Sequence, residues 1–277
     1  MIWANPRYLS FWGVLLLGKL LSIPVYPRGH GLVKQPNAGA LKKWMYRLIV
    51  ALSHAYICYT PKVRESLAFI QNDAKLPVDY NTLYNDFPVR PEEKTGKEKG
   101  IFFVGRVRDG CGVDVLISAI QTLREKDGLD VEAHIIGDGP WRAILEEKAA
   151  QFPHWLKYYG GVFDQKKITE ISRTCRIGCG PGFMGLNVVH MLSLSLPVIT
   201  HANLAEHMGP EPEYIQHGIN GWLLKRKGDV KMLQNILGDV WNLDKTVLGE
   251  VRNNAYSSYK TLSIPPYHKR LLGILNA

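Results

Sequence analysis

Four glycine-rich breaks recur in the second half of the chain: Gly105–Arg106, Gly137–Asp138–Gly139–Pro140, Gly160–Gly161 and Gly180–Pro181–Gly182. Glycine lets backbone N–H groups approach a phosphate or a flat base closely. One such turn means little, because every strand needs one. Four at the same end of one sheet point to a nucleotide-sized ligand. The loop from Pro181 to Gly185 runs straight into a helical pattern starting near Leu186. A helix start offers unpaired N–H donors and a partial positive charge, which makes Gly182 to Asn187 the best anion site in the sequence. Arg106 and Arg108 carry fork-shaped charge suited to a diphosphate, with a surface ion pair as the alternative for Arg106. His190 falls one turn into the helix and faces back toward the loop, or it is a packed structural histidine. Near the start, Pro27–Arg28–Gly29–His30–Gly31 sets a histidine between glycines on a tight loop. Such a ring suits acid–base or oxygen-polarising chemistry, or simply bonds backbone.

These residues need a scaffold, and the hydrophobic pattern supplies one. From residue 101 onward, short apolar runs at 101–107, 132–140, 156–162, 176–182, 196–200 and 221–225 alternate with helix-like stretches. Val115, Leu116, Ala119, Ile120 and Leu123 have helical spacing. Six strands separated by helices predict a parallel sheet covered on both faces, with ligands at the carboxyl ends of its strands. Residues 1–87 read similarly but incompletely, with strands expected in PVYPRGHG, AYICYT and VDYNTL. The stretch from Leu9 to Pro27 predicts a buried helix followed by a short strand. Lys19 interrupts its apolar run, and no small-residue cleavage site follows, so it does not read as a signal peptide. Trp3, Arg7 and Trp12 would also suit a membrane interface. The proline- and charge-rich segment 88–99 reads as a linker. The expected organisation is therefore a partial first domain at 1–87, the linker, a second domain at 100–243, and helices at 244–277 packing back toward the first.

The 277 residues, 46% hydrophobic and 21% charged, are those of an ordinary globular chain. No apolar run reaches the roughly 18 residues of a membrane span. The net charge is +9, and most of it sits in the first 100 residues. A basic face suits phosphate, anionic lipid or nucleic acid. No recognition-helix signature supports nucleic acid. Cys58, Cys111, Cys175 and Cys179 show no metal-ligand spacing and read as reduced, mostly buried thiols of a cytoplasmic protein. The sequence lacks HExxH, GxxxxGK[ST], GxSxG and a DxD-like acidic pair, which argues against a metalloprotease, a P-loop enzyme, an α/β-hydrolase and an aspartate-pair, metal-dependent sugar transferase.

The runs FVGRVRDGCGVDVLISAI, HIIGDGPWRAILEEKA and YYGGVFDQKKITEISRTCRIGCGPGFMGLNVVHMLSLSLPVIT, followed by GINGWLLKRKGDVKML, resemble retaining glycosyltransferases of family 4. The resemblance covers residues 100–235 well and 1–87 more loosely, through NPRY, RGHG and the stretch from Tyr59 to Glu65. It implies an α/β protein of the GT-B type: two Rossmann-like domains with parallel sheets facing a cleft, the N-terminal one incomplete here. The second domain would hold a nucleotide-diphosphate sugar and the first an acceptor. No metal or other cofactor is implied, because basic side chains and a helix N-terminus stabilise the departing diphosphate. Carried over, Arg106 would contact the diphosphate with Gly105 and Arg108 beside it. Gly137, Gly139 and Pro140, with Gly161 and Val162, would line the base. Gly185, Leu186 and Asn187 would present N–H groups to phosphate and sugar, His190 would bond the ribose, and His30 would sit by the reacting oxygens.

Three departures from the family pattern stand out. The family commonly places two glutamates around the phosphate helix, and those positions here are Gly182 and His190. The basic residue expected shortly after Arg106 falls at Cys111, a loss worth on the order of 2–4 kcal/mol of transition-state stabilisation unless another side chain substitutes. A complete first domain of the family would have about three further strands ahead of Met1, from a fragmentary start or a separate partner chain, or the protein is a reduced form. The implied activity is sugar transfer with retention to a glycan or lipid-linked acceptor, in cell-surface polysaccharide or lipopolysaccharide synthesis. It would be cytoplasmic, peripheral at the anionic inner face of the membrane. The alternatives are a non-catalytic nucleotide-sugar-binding subunit that needs a partner chain, and a nucleotide-sugar epimerase of the same fold.

Overall fold

A computed structural model describes residues 1–95 and 97–276. The chain divides into two compact units, residues 1–81 with 265–277, and residues 82–264.

The first unit holds β1 (Ile2–Trp3), α1 (Leu9–Leu20), β2 (Pro27–Gly29), α2 (Ala40–Leu52), β3 (Ile57–Cys58) and α3 (Pro61–Glu65). The strands pair in parallel in the order β1-β2-β3. Leu15, Ile49, Tyr56, Val63 and Leu67 form its core. Two expectations change here. A strand at Ile2–Trp3 was not foreseen, and VDYNTL contributes a single bridge, Cys58 to Val78, rather than a strand. The backbone still follows its neighbour there, Asp79 N donating to Cys58 O and Asn81 N to Tyr59 O, while the Asp79 side chain, in a residue 1% exposed, is held by Arg28 and Arg270 at 3.5 and 3.0 Å.

Helix α1 is also not the buried helix expected. Phe11, Leu15 and Gly18 face the core, but Leu9, Leu16, Leu17, Leu20 and Leu21 are exposed. A sequence apolar all round does not say which side finds a partner. Among the described residues, no helix is long and apolar enough to cross a membrane.

The second unit follows the predicted alternation. Its elements are β4 (Gly100–Val104), α4 (Val113–Asp127), β5 (Glu132–Ile136), α5 (Arg142–Gln151), β6 (Leu156–Tyr158), α6 (Gln165–Arg173), β7 (Cys175–Cys179), α7 (Asn187–Ser193), β8 (Val198–His201), β9 (Gly221–Leu224), α8 (Val230–Trp241) and α9 (Lys245–Ser263). All six strands are parallel, in the order β6-β5-β4-β7-β8-β9. The chain winds outward from β4 to β6 and then crosses back to β7. That reversal leaves a crevice past the carboxyl ends of β4 and β7. Ile101, Phe103, Leu116, Ile120, Ile135, Ile177, Ile199 and Leu237 form the core between the sheet, α4 and α8. All four cysteines are buried and free.

The segment expected as a linker begins on the second unit instead. Asn85 Nδ2 donates to Ser193 Oγ at 2.8 Å, Val89 N to Ser193 O at 3.0 Å, and Ser195 Oγ to Val89 O at 2.6 Å. Thr169 Oγ1 donates to Phe87 O, and Lys94 Nζ to Ser172 O. These bonds place the division after Asn81 rather than within 88–99; Gly96 of that segment lies outside the described residues. Of the helices from 244 onward, α9 stays with the second unit, where Arg252 pairs with Glu98 at 2.9 Å. Only α10 (Tyr267–Leu275) returns to the first, packing Leu271, Ile274 and Leu275 on Tyr26, Ala55 and Ile57.

Candidate functional site

The loops past β4, β5 and β6 are zipped together by backbone bonds that extend the sheet ladder. Gly105 N donates to Ile136 O, Val107 N to Asp138 O, and Gly137 N to Gly160 O. Glycine at 137 is a steric requirement: with φ +155°, a Cβ there would sit 1.8 Å from Gly105 O. Gly139, Pro140, Gly161 and Val162 line the same end of the sheet, with Asp138 between them and bonded to Gly139 N at 2.8 Å.

At the strand-order reversal lies a cavity of about 350 Å³. Gly105, Arg106 and Arg108 border it from the β4 loop, and Gly185 and Asn187 from the β7 loop, so the structure brings together five of the predicted residues. Asn187 ties the two loops. Its Nδ2 donates to Val104 O at 3.1 Å, and its Oδ1 accepts from Gly185 N at 2.8 Å. The Gly185 N–H expected to face a phosphate is therefore bonded to the Asn187 side chain. Leu186 is exposed at the start of α7, a helix of seven residues.

Arg106 and Arg108 make no ion pair among the described residues. Arg108 Nη2 rests on Met208 Sδ at 3.1 Å, and its guanidinium carbon lies 5.8 Å from the Phe183 ring centre. Among the described residues no carboxylate borders the cavity, while the buried Glu211 stands behind its wall, with Oε2 3.8 Å from where a Cβ on Gly185 would be. A pocket bordered by two guanidinium groups that make no ion pair among the described residues suits an anion.

The remaining predicted residues lie elsewhere. His190 is buried within α7 and does not border the cavity; its Nε2 has no hydrogen-bond partner among the described residues, and burial lowers its pKa to about 4. His30 belongs to the first unit. Its ring stands edge-on to Tyr59 at 4.9 Å, and its buried Nδ1 has no hydrogen-bond partner among the described residues. Burial, then the charges of Lys34 and Arg28, bring its pKa down to about 4. The ring is neutral at physiological pH.

Position 182, where the family pattern has a carboxylate, is closed by backbone. A Cβ on Gly182 would lie 2.2 Å from Gly110 O and 2.4 Å from Cys111 C. Reciprocally, a Cβ on Gly112, at φ +81°, would lie 2.5 Å from Gly182 N. The glutamate is therefore excluded, and the loops after β4 and β7 fill its space.

Sequence reasoning missed Phe103, Cys111, Phe183, Met184 and Met208 as cavity walls. Phe183 and Met184 stand inside the PGFMG loop that leads into α7, so that loop was a signal. Met208 comes from the irregular segment after β8. It is placed there by Met208 N donating to Met184 O, and by His207 Nδ1 accepting from Met184 N at 3.1 Å. Acceptance at Nδ1 puts the His207 proton on Nε2, which donates to His201 O at 2.8 Å.

Wholly parallel sheets, a strand-order reversal and a basic cavity at that reversal define a doubly wound α/β protein, and the solved structures that superpose on it make the fold GT-B. The chain belongs to the glycosyl transferases group 1 family, whose model matches residues 98–241. No curated protein sequence matches it. Among solved structures, Anabaena HepE in complex with UDP superposes with a TM-score of 0.73 at 16% identity, covering 99% of this chain and 78% of that one. The lipopolysaccharide outer core galactosyltransferase WaaB gives 0.68 at 15% identity, covering 96% and 72%. A mutant of S. aureus TarM in complex with fondaparinux, alpha-GlcNAc-glycerol and UDP gives 0.67 at 14%, covering 92% and 51%. The chain thus spans about half the length of TarM.

Proposed function

We propose that the second unit binds a nucleotide-diphosphate sugar and that the protein transfers the sugar, with retention and without a metal, to a glycan or lipid-linked acceptor. The observation that carries this is the cavity at the β4/β7 reversal, with Arg106 and Arg108 unpaired on its wall. Family membership supports transfer as the reaction class. HepE and TarM are complexes with UDP, and WaaB is a lipopolysaccharide galactosyltransferase, which supports a nucleotide-sugar donor and cell-surface polysaccharide or lipopolysaccharide synthesis.

In this reading the anomeric carbon–oxygen bond to the diphosphate loosens as the acceptor oxygen approaches from the same face. Arg106 and Arg108 hold the charge that develops on the leaving diphosphate. A leaving phosphate oxygen takes the acceptor proton. The β5 and β6 loops, with Gly137, Gly139, Pro140, Gly161 and Val162, receive the base. His30, neutral, is assigned a hydrogen bond to sugar or acceptor.

The acceptor side is proposed to work against an anionic membrane surface. The exposed leucines of α1 stand in a stretch whose first acidic residue is Glu65, while Arg7, Lys19, Lys42, Lys43 and Arg47 are basic. One relative is described as a two-component GtfA/B complex, which supports testing for a partner chain here as well.

The test is calorimetric binding of UDP, GDP and their sugar conjugates to wild type and Arg106→Ala, with product analysis on lipid-linked acceptors. Binding of one nucleotide, lost on Arg106→Ala, is expected. His30→Ala is expected to lower turnover while leaving nucleotide affinity in place. A folded protein that binds none of these donors refutes the reading, whereas donor binding without turnover favours a non-catalytic subunit.

A further inference from the structure

Both cations on the cavity wall come from the β4 loop, but a third approaches from the far side of the strand reversal. Lys227, in the loop after β9, holds its Nζ 3.7 Å from the centre of the Phe183 ring. Arg108 addresses the same ring, and that ring borders the cavity together with Arg106 and Cys111. The lysine is half-buried, and its loop is fixed to the β7 loop, where Gly228 N donates to Pro181 O at 3.3 Å. The nearest acid in its own loop, Asp229, caps α8 through Met232 N and pairs with Arg226. Lys227 itself makes no ion pair among the described residues.

An ammonium on an aromatic face keeps its full charge and retains donors for another acceptor. Cys111, at the position where the family pattern has a basic residue, is 4% exposed, and burial raises its thiol pKa, so it is uncharged at neutral pH. His201, fully buried at the end of β8, is held neutral by burial and then by the charge of Lys227. The cavity therefore lacks a cation where the pattern expects one, and Lys227, though not one of its lining residues, stands against one of its walls, Phe183.

We propose that Lys227, seated on Phe183, supplies the second anchoring charge of the anion site in place of the uncharged Cys111, so that a diphosphate is gripped from both the β4 and the β9 loops. The assignment rests on the donor-binding reading and is tested separately from it.

The experiment titrates UDP, UMP and inorganic pyrophosphate into wild type, Lys227→Gln, Lys227→Arg and Phe183→Leu, with a thermal melt of each. Losing one charge-assisted contact corresponds to about a tenfold loss of affinity. Lys227→Gln is expected to weaken UDP and pyrophosphate by about that factor while affecting UMP much less. Lys227→Arg should retain binding. Phe183→Leu, which keeps an apolar wall but removes the seat, should weaken the same two ligands. Unchanged pyrophosphate and UDP affinity in Lys227→Gln overturns the assignment, as does an equal loss for UDP and UMP, which marks a structural effect. A wild type that binds pyrophosphate but no nucleoside diphosphate refutes the donor reading, and the lysine is then decided on pyrophosphate alone. A wild type that binds neither refutes both.

Discussion

Putting the family's carboxylate back at position 182 is expected to damage the protein rather than repair it. A non-bonded carbon contact has its optimum near 3.5–4.0 Å. The Cβ of any residue at 182 would meet Gly110 O at 2.2 Å and Cys111 C and O at 2.4 and 2.6 Å. All three neighbours are backbone, so the loops must part by roughly 1 Å. Forced overpacking of this kind costs about 1–3 kcal/mol. Gly182→Ala isolates that cost. For a unit of this size each kcal/mol lowers the melting temperature by about 2–4 °C, so the alanine variant should melt about 2–12 °C below wild type. Gly182→Glu adds a carboxylate at a buried position, whose desolvation without a partner costs about 1–3 kcal/mol more. The parted loops are those that carry Arg108 and Phe183, so UDP affinity should fall with stability. The assay is differential scanning calorimetry paired with UDP titration. A glutamate variant that melts with wild type and gains turnover would refute the packing argument and show that the loops open freely.

Acid should destabilise the second unit before its carboxylates titrate. His190 and His201 have pKa values lowered to about 4 by burial, against 6.5 unfolded, so the unfolded chain binds the extra protons between those values. Stability is then full above pH 6.5 and falls as pH drops toward 4, and melts across that window check it. Arg252→Ala removes the buried ion-pair partner of Glu98 at 2.9 Å, leaving its carboxylate to hydrogen bonds such as those from Thr95 N and Oγ1, and should cost about 3 kcal/mol, read by denaturant titration. Arg252→Met with Glu98→Leu should recover most of that loss. Truncation after Ile264 removes the cover of Tyr26, Ala55 and Ile57 and should raise proteolysis of residues 1–81 while sparing the second unit.

Much of the second unit was legible because its strands are short apolar runs ending in glycine, a pattern that only a covered parallel sheet satisfies. Each glycine group did fall at a strand exit. What the glycines do there was less legible. Gly137 and Gly182 serve close contact between loops, and sequence cannot separate that from room left for a ligand. The first unit misled because its strands are two or three residues long, below the length at which alternation shows. The segment 88–99 looked like a linker from its prolines and charges. Residues far along the chain hold it: the Thr169 and Ser195 hydroxyls donate to the carbonyls of Phe87 and Val89, and the carbonyls of Ser193 and Ser172 accept from Val89 N and Lys94 Nζ. Lys227 and Met208 were unreadable for the same reason: only the fold brings Lys227 to the Phe183 ring and Met208 to the cavity wall.

The path of the chain has a consequence for loop closure. The second unit is one uninterrupted run, and its two ends lie side by side, with Thr82 Oγ1 and Ser263 Oγ 3.1 Å apart. The first unit is assembled from two stretches on either side of that run: its Asp79 receives Arg270, and its sheet receives α10, from residues 265–277. In topological terms the second unit is an insertion within the first. Closing the first unit across an unfolded insertion carries a loop-closure entropy cost that grows with the length spanned. Once the second unit has folded and brought its own ends together, that span is short, so the folding of one unit prepares the closure of the other.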